Sequence, residues 1–310
     1  MTTAAAIAAE RAVARVARPF HTVEGAGFPV RRAFPTEELP ELDPFLMLDQ
    51  VGPTVLGPGE AVGAPAHPHR GFETIEYVLE GEVANADSYG EKAVVRAGGV
   101  QWLTAGSGIV HESLPTPEFL ASGGPQHMLQ IWVNLPAALK SLPPHAQYAS
   151  AVELPVAATP DGSAEITVLA GTTHGVTGPF ATHTPVLVAR ARIAPEGRAE
   201  FTAPAGHNAM VYVLRGRAVA GEGTALPDGH LGVYARDGRE RFSVATAEEG
   251  AEVLVLAGEP IGEPVARSGP FVMNTEAELR QAEADHRAGR MGRIPTDRIP
   301  TDRIPTDDAS

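Results

Sequence analysis

Three imidazoles carry the chemistry this sequence offers. His67-Pro68-His69 supplies two with a single residue between them, and Gly108-Ile109-Val110-His111 supplies a third about forty positions later. Side chains alternate along an extended backbone, so an H-x-H pair on a strand puts both rings on one face. A third His from a neighbouring strand then closes a three-nitrogen metal face with open positions for water or substrate. A thiolate alternative does not arise, because the chain has no cysteine: disulfides and thiolate-ligated metals are excluded, leaving His, carboxylate and water.

The elements that must position these rings read as β structure. Glycine and proline are abundant at 33 and 28 of 310 residues, which suits many short strands joined by turns better than a helical bundle. Tyr77-Val78-Leu79-Glu80-Gly81-Glu82 reappears as Tyr212-Val213-Leu214-Arg215-Gly216-Arg217, one strand-and-turn unit used twice. Further strand-like runs include Ala93–Arg96, Met128–Val133, Pro185–Arg190 and Glu252–Leu256.

The expected organisation is an N-terminal arm (1–19), frayed or helical, then a β domain (20–136) and a Pro, Ala and Ser-rich linker (137–162). A second β domain (163–292) ends in a helix, for which Thr275-Glu276-Ala277-Glu278 is the start signal and Gly289 the stop. Arg293-Ile294-Pro295-Thr296-Asp297 then occurs three times in succession, and a proline every five residues predicts an extended, disordered tail over 293–310. The formal charge of −14 argues against direct nucleic-acid binding. No apolar run is long enough to span a membrane, so a cytoplasmic monomer is expected.

The repeat makes an internal comparison possible. Counting from the shared tyrosine, His67 and His69 correspond to Thr202 and Pro204, and His111 falls near Thr246. The second half keeps the scaffold without the ligands, so the histidines are not a demand of the fold.

The chain resembles the pirins, a family of the cupin superfamily. The segments that carry the resemblance are Asp43–Asp49, His67–Thr74, Gln101–His111, Gln130–Pro136 and Gly269–Thr275, within about residues 20–292. The resemblance implies an all-β bicupin of two antiparallel β-barrels (double-stranded β-helices), with one divalent metal, iron foremost, in the first. The residues themselves also admit Mn, Co, Ni, Cu or Zn. It further implies either quercetin 2,3-dioxygenase-type cleavage of a flavonol with O2, or a non-enzymatic, metal- or redox-dependent regulatory role through binding a transcription factor or metabolic enzyme.

The resemblance also implies a fourth ligand, a Glu two residues past the third His. That position is Ser113, and the glutamate has moved to Glu112. On a regular strand His111 and Ser113 share a face while Glu112 points away, so Glu112 reaches the metal only through a bulge. Many cupins place a ligand Glu five residues after the second His, here Thr74; Glu76 lies two further on, on the same face of a regular strand. Pirins have a small or hydroxyl residue at that point. The fourth position is thus Glu112, Glu76, or water near Ser113, with the two glutamates the candidate catalytic carboxylates.

Overall fold

The computed structural model describes residues 9–295. The strands in chain order begin β1 (Val13–Ala17), β2 (Phe20–Glu24), β3 (Phe28–Phe34), β4 (Phe45–Leu56), β5 (Ala64–His69) and β6 (Phe72–Glu80). They continue β7 (Glu82–Asp87), β8 (Lys92–Arg96), β9 (Val100–Thr104), β10 (Ile109–Leu114), β11 (Gly124–Asn134) and β12 (His145–Ala149), with helix α1 (Pro117–Ser122) before β11. Two units form, and neither is a continuous stretch of chain: of the described residues, one holds 21–32, 45–153 and 261–295, the other 9–20, 33–44 and 154–260.

The unit that carries the three histidines is built from two facing antiparallel sheets. One has strand order β12-β9-β6-β11-β4-β3-β2, the other β5-β10-β7-β8. β6 is buried on both sides: Phe72, Ile75, Tyr77 and Val78 are almost inaccessible, as is Trp102 across the β6–β9 pair. Burying each such side chain is worth about 1.5–3 kcal/mol, which fixes the register of the sheet. The turn between β5 and β6 depends on Gly71, whose φ is +88° and whose added Cβ would sit 2.0 Å from the Val272 carbonyl oxygen.

The chain returns to this unit after the second repeat. The hairpin β24 (Ala266–Ser268) and β25 (Phe271–Met273) and helix α2 (Glu276–Arg287) all belong to it. α2 begins as expected, with Thr275 accepting from the Glu278 amide at 3.3 Å, and it buries Leu279 and Ala282. The helix expected to close the second domain is therefore part of the first unit.

The other unit contains β13 (Val156–Ala158), β14 (Ala164–Ala170), β15 (Thr172–Thr173), β16 (Val176–Thr177), β17 (Val186–Ile193), β18 (Arg198–Thr202) and β19 (Asn208–Ala220). It continues with β20 (Thr224–Pro227), β21 (Leu231–Tyr234), β22 (Arg241–Ala245) and β23 (Ala251–Gly258). Its core is apolar, with Phe201, Phe242, Tyr234, Val211, Val244 and Val253 packed together.

Two expectations change here. The stretch 9–19 is neither frayed nor helical: β1 pairs with β21, and the guanidinium of Arg11 is buried among backbone carbonyls. The expected linker is also largely structured, since β12 pairs with β9 and β13 with β14. Both were obscured because short strands without strict alternation give little periodic signal. Most of the Arg-Ile-Pro-Thr-Asp tail lies outside the described residues.

Candidate metal centre

β5 and β10 are antiparallel neighbours, and their register sets His111 directly opposite His67, with Ile109 opposite His69. All three rings consequently meet on one face. Ring centroids lie 4.4–4.8 Å apart, and the candidate ligand atoms fall within 4.8 Å of one another. His69 and His111 are buried and His67 is partly so. Trp132 and Phe72 pack edge-on against the His69 ring, at 5.3 and 5.0 Å, and restrict its rotation.

The hydrogen bonds orient the rings inward. His67 Nδ1 lies 2.7 Å from the Pro65 carbonyl oxygen and His69 Nδ1 lies 3.3 Å from that of Pro270. A carbonyl can only accept, so each Nδ1 carries the proton in a neutral ring and each Nε2 carries a lone pair. Those two Nε2 atoms face each other at 3.1 Å. Both His111 nitrogens are buried with no hydrogen-bond partner. Burial lowers the pKa of all three rings, that of His69 to about 3 and that of His111 well below the ordinary value, so they are neutral at physiological pH. Converging lone pairs on neutral, desolvated imidazoles, beside the unsatisfied nitrogens of His111, fit a divalent cation.

Among the described residues, the group able to hold a metal comprises these three histidines and no carboxylate. The structure places the three oxygen-bearing candidates differently. β10 carries Ser113 on the His111 face, and Ser113 is buried. The bulge near this point lies on β5, where His111 pairs with His67 but Ser113 with Ala64. Against β7 the ladder is unbroken from His111↔Asp87 through Glu112↔Ala86 to Ser113↔Asn85. The alternation of β10 is thus intact, and Glu112 stays on the face away from the rings.

Glu76 points into the barrel. It is 7% exposed, and its Oε1 accepts from Asn85 Nδ2 at 2.8 Å while its Oε2 accepts from the Ser113 hydroxyl at 2.7 Å. Burial raises its pKa, and the hydrogen bonds from Asn85 and Ser113 oppose that rise. Sequence reasoning paired neither Asn85 nor Pro270 with the site. Asn85 and Asp87 do alternate on one face of β7, a readable signal, but the contribution of Pro270 is a backbone carbonyl and leaves no trace in side-chain type.

The second unit shows why it lacks a counterpart. On β18 the buried positions are Ala199 and Phe201, followed by Ala203, while Thr202 is exposed. The inward positions are thus one residue off the count from the repeated tyrosine, and they carry apolar side chains stacked as Phe201 on Phe242 at 5.7 Å.

Comparison with known proteins is consistent in both halves. The Pirin family model matches residues 27–133, and the Pirin C-terminal cupin domain model matches residues 188–292. A Pseudomonas aeruginosa protein provisionally named a quercetin 2,3-dioxygenase is 38% identical over 268 residues, 86% of this chain and 93% of its own length. Human Pirin is 35% identical over 273 residues, 87% of this chain and 90% of its own. A crystal structure of quercetin 2,3-dioxygenase from Acinetobacter baumannii superposes with a TM-score of 0.87 at 36% identity, covering 93% of this chain and all of the other.

Proposed function

This chain belongs to the pirin family of bicupins, and on that premise we propose that its first barrel binds one divalent metal ion through His67, His69 and His111 and cleaves a flavonol-type substrate with O2. The observation that carries this reading is the pair of facing Nε2 lone pairs at 3.1 Å beside the two unsatisfied nitrogens of His111. Iron is the metal we favour; three neutral nitrogen donors also accept Mn, Co, Ni, Cu or Zn. When bound, the ion supplies Lewis-acid stabilisation of a deprotonated substrate hydroxyl and a template for O2.

The protein's own part is proton handling and exclusion of water. A flavonol must lose the proton of its 3-hydroxyl. Ser113 is on the ligand face of β10 and already donates to Glu76, so its oxygen lone pairs remain free to accept. A proton taken up at Ser113 Oγ releases the existing hydroxyl proton to Glu76 Oε2. Glu76 ends protonated, the state that its burial favours, and Ser113 is unchanged. Asn85 holds the other carboxylate oxygen and keeps Glu76 aimed at Ser113. Trp132 and Phe72, backed by Met47, form an apolar wall beside the His69 ring that limits water there.

The test is metal content of the untagged protein, together with oxygen uptake and loss of quercetin absorbance, for wild type, His69→Ala and Glu76→Gln. Turnover in wild type alone supports the reading. Metal uptake by wild type without turnover favours the alternative, a metal-dependent binding protein that acts on a macromolecular partner.

A further inference from the structure

We propose that the segment from Ala266 to Met291 is a positioning strap for the metal centre, which fixes the His69 ring through the Pro270 carbonyl. The inference rests on the metal reading above. Its starting point is that His69 Nδ1 has its carbonyl partner 201 residues away in sequence, so the ligand geometry depends on how firmly that distant segment is docked.

The docking is specific at both ligand strands. At the end of β5, the Val272 amide donates to the Arg70 carbonyl at 3.1 Å, and Arg70 bridges to Phe271. The Lys140 ammonium donates to the Gly71 carbonyl at 2.6 Å, to the Val272 carbonyl at 3.1 Å and to Asn134 Oδ1 at 2.6 Å, tying the β5–β6 turn to β25. The Arg70 guanidinium reaches back to the Ser107 carbonyl at 2.7 Å and across to Asp285 Oδ2 on α2 at 2.8 Å. Arg290 and Gln281 hold the other oxygen of Asp285, each at 2.7 Å.

At β10, Ser88 bridges the Val110 amide and the Met291 carbonyl, at 3.1 and 2.7 Å. Val110, next to His111, packs with Phe271, Leu279, Ala282 and Met291. Arg70 follows His69 and Val110 precedes His111, so the strap grips the residue beside each buried ligand. Hydrogen bonds from ligand histidines to backbone carbonyls set tautomer and ring angle, and loosening them typically costs 10–100-fold in metal affinity.

A backbone carbonyl cannot be deleted by substitution, so the test loosens its anchors. Asp285→Ala frees Arg70 from α2, and Lys140→Met frees Gly71 and Val272 from each other. Glu283→Ala is the control: it removes a carboxylate of the same helix that bonds Ser268 and pairs with Arg287, without reaching Arg70. Cobalt(II) affinity is measured by chelator competition on the full chain. In the zinc-loaded protein, solvent exchange of the His69 Nδ1–H resonance is followed by NMR.

The expected result for Asp285→Ala and Lys140→Met is an affinity loss of about tenfold with faster exchange of that proton, while Glu283→Ala stays near wild type. Unchanged affinity and exchange in Asp285→Ala, or an equal loss in Glu283→Ala, overturns the strap. Wild type that takes up no cobalt overturns the metal reading itself, and the strap with it.

Discussion

The Ser113 hydroxyl donates a 2.7 Å hydrogen bond to Glu76 Oε2, and so joins the two positions at which this chain leaves the pattern expected of its family. Where a glutamate would stand on β10 there is a serine, and where a small or hydroxyl residue would stand on β6 there is a glutamate. In this chain the carboxylate of the pair stands on β6 and its hydroxyl partner on β10. Ser113→Glu alone therefore sets a second carboxylate against Glu76 in a buried site, where two like charges are costly. We expect Ser113→Glu to lower stability and the double variant Glu76→Thr/Ser113→Glu to recover it. A double-mutant cycle by urea unfolding should show a coupling of about 1–3 kcal/mol, and additive effects would refute the exchange.

Metal should stabilise the protein strongly at the three rings. A ligand present at 100 times its Kd adds about 2.7 kcal/mol to the folded state. For a unit of this size that raises Tm by roughly 5–10 °C. His69→Ala should abolish the shift, because the remaining pair lacks the Nε2 that faces His67. Differential scanning calorimetry with and without cobalt(II) or iron(II) measures it, and a shift retained in His69→Ala would place the metal elsewhere.

Glu112 should be dispensable to the centre. The β10–β7 ladder runs without a shift through Glu112, which leaves its side chain on the opposite face from His111. Glu112→Gln should keep metal stoichiometry and affinity within about twofold of wild type, a difference below about 0.5 kcal/mol and typical of a surface substitution. Elemental analysis and chelator competition check this, and loss of metal would mean that the strand rearranges to bring the carboxylate inward.

These positions show how far the sequence could be read. The three histidines were legible because a period of 2 on one strand, with a partner strand to supply the third ring, follows from residue spacing alone. That Glu76 faces inward was open in the sequence, since it depended on a regular strand; the structure supplies the partners Asn85 and Ser113 that hold it there. The return of 261–295 to the first unit was not legible. Its anchors are backbone carbonyls of Pro270, Gly71 and Val272 together with long-range side chains such as Lys140, and neither kind leaves a local pattern.

Lys140 should give the protein an unusual alkaline response. Its burial lowers its pKa to about 8, while the unfolded chain keeps the ordinary lysine value of 10.5. Between those values the unfolded state holds the proton that the folded state has released, so stability rises with pH through this window and is flat below it. The slope approaches about 1.4 kcal/mol per pH unit. Urea unfolding of wild type and Lys140→Met at pH 7, 8 and 9 isolates this contribution, because the other titrating groups are common to both. A difference between the two that does not change with pH would show that the three oxygen acceptors hold Lys140 charged throughout.

Arg11 should matter to stability and leave the metal centre alone. Its guanidinium is fully buried and donates to four backbone carbonyls, those of Ala203, Pro204, His207 and Arg239, at 2.7–2.8 Å. All four belong to the same unit as Arg11, and Ala203, Pro204 and His207 lie in the turn between β18 and β19. Arg11→Ala leaves the buried Ala203 carbonyl and three part-buried carbonyls without this donor, at a cost of about 3 kcal/mol. Arg11→Lys should recover only part of it, since a lysine offers three donors from one point and cannot span the planar fork. Urea unfolding should show both losses. Cobalt(II) affinity should be unchanged in either variant, because Lys140, not Arg11, secures the turn that carries the ligands.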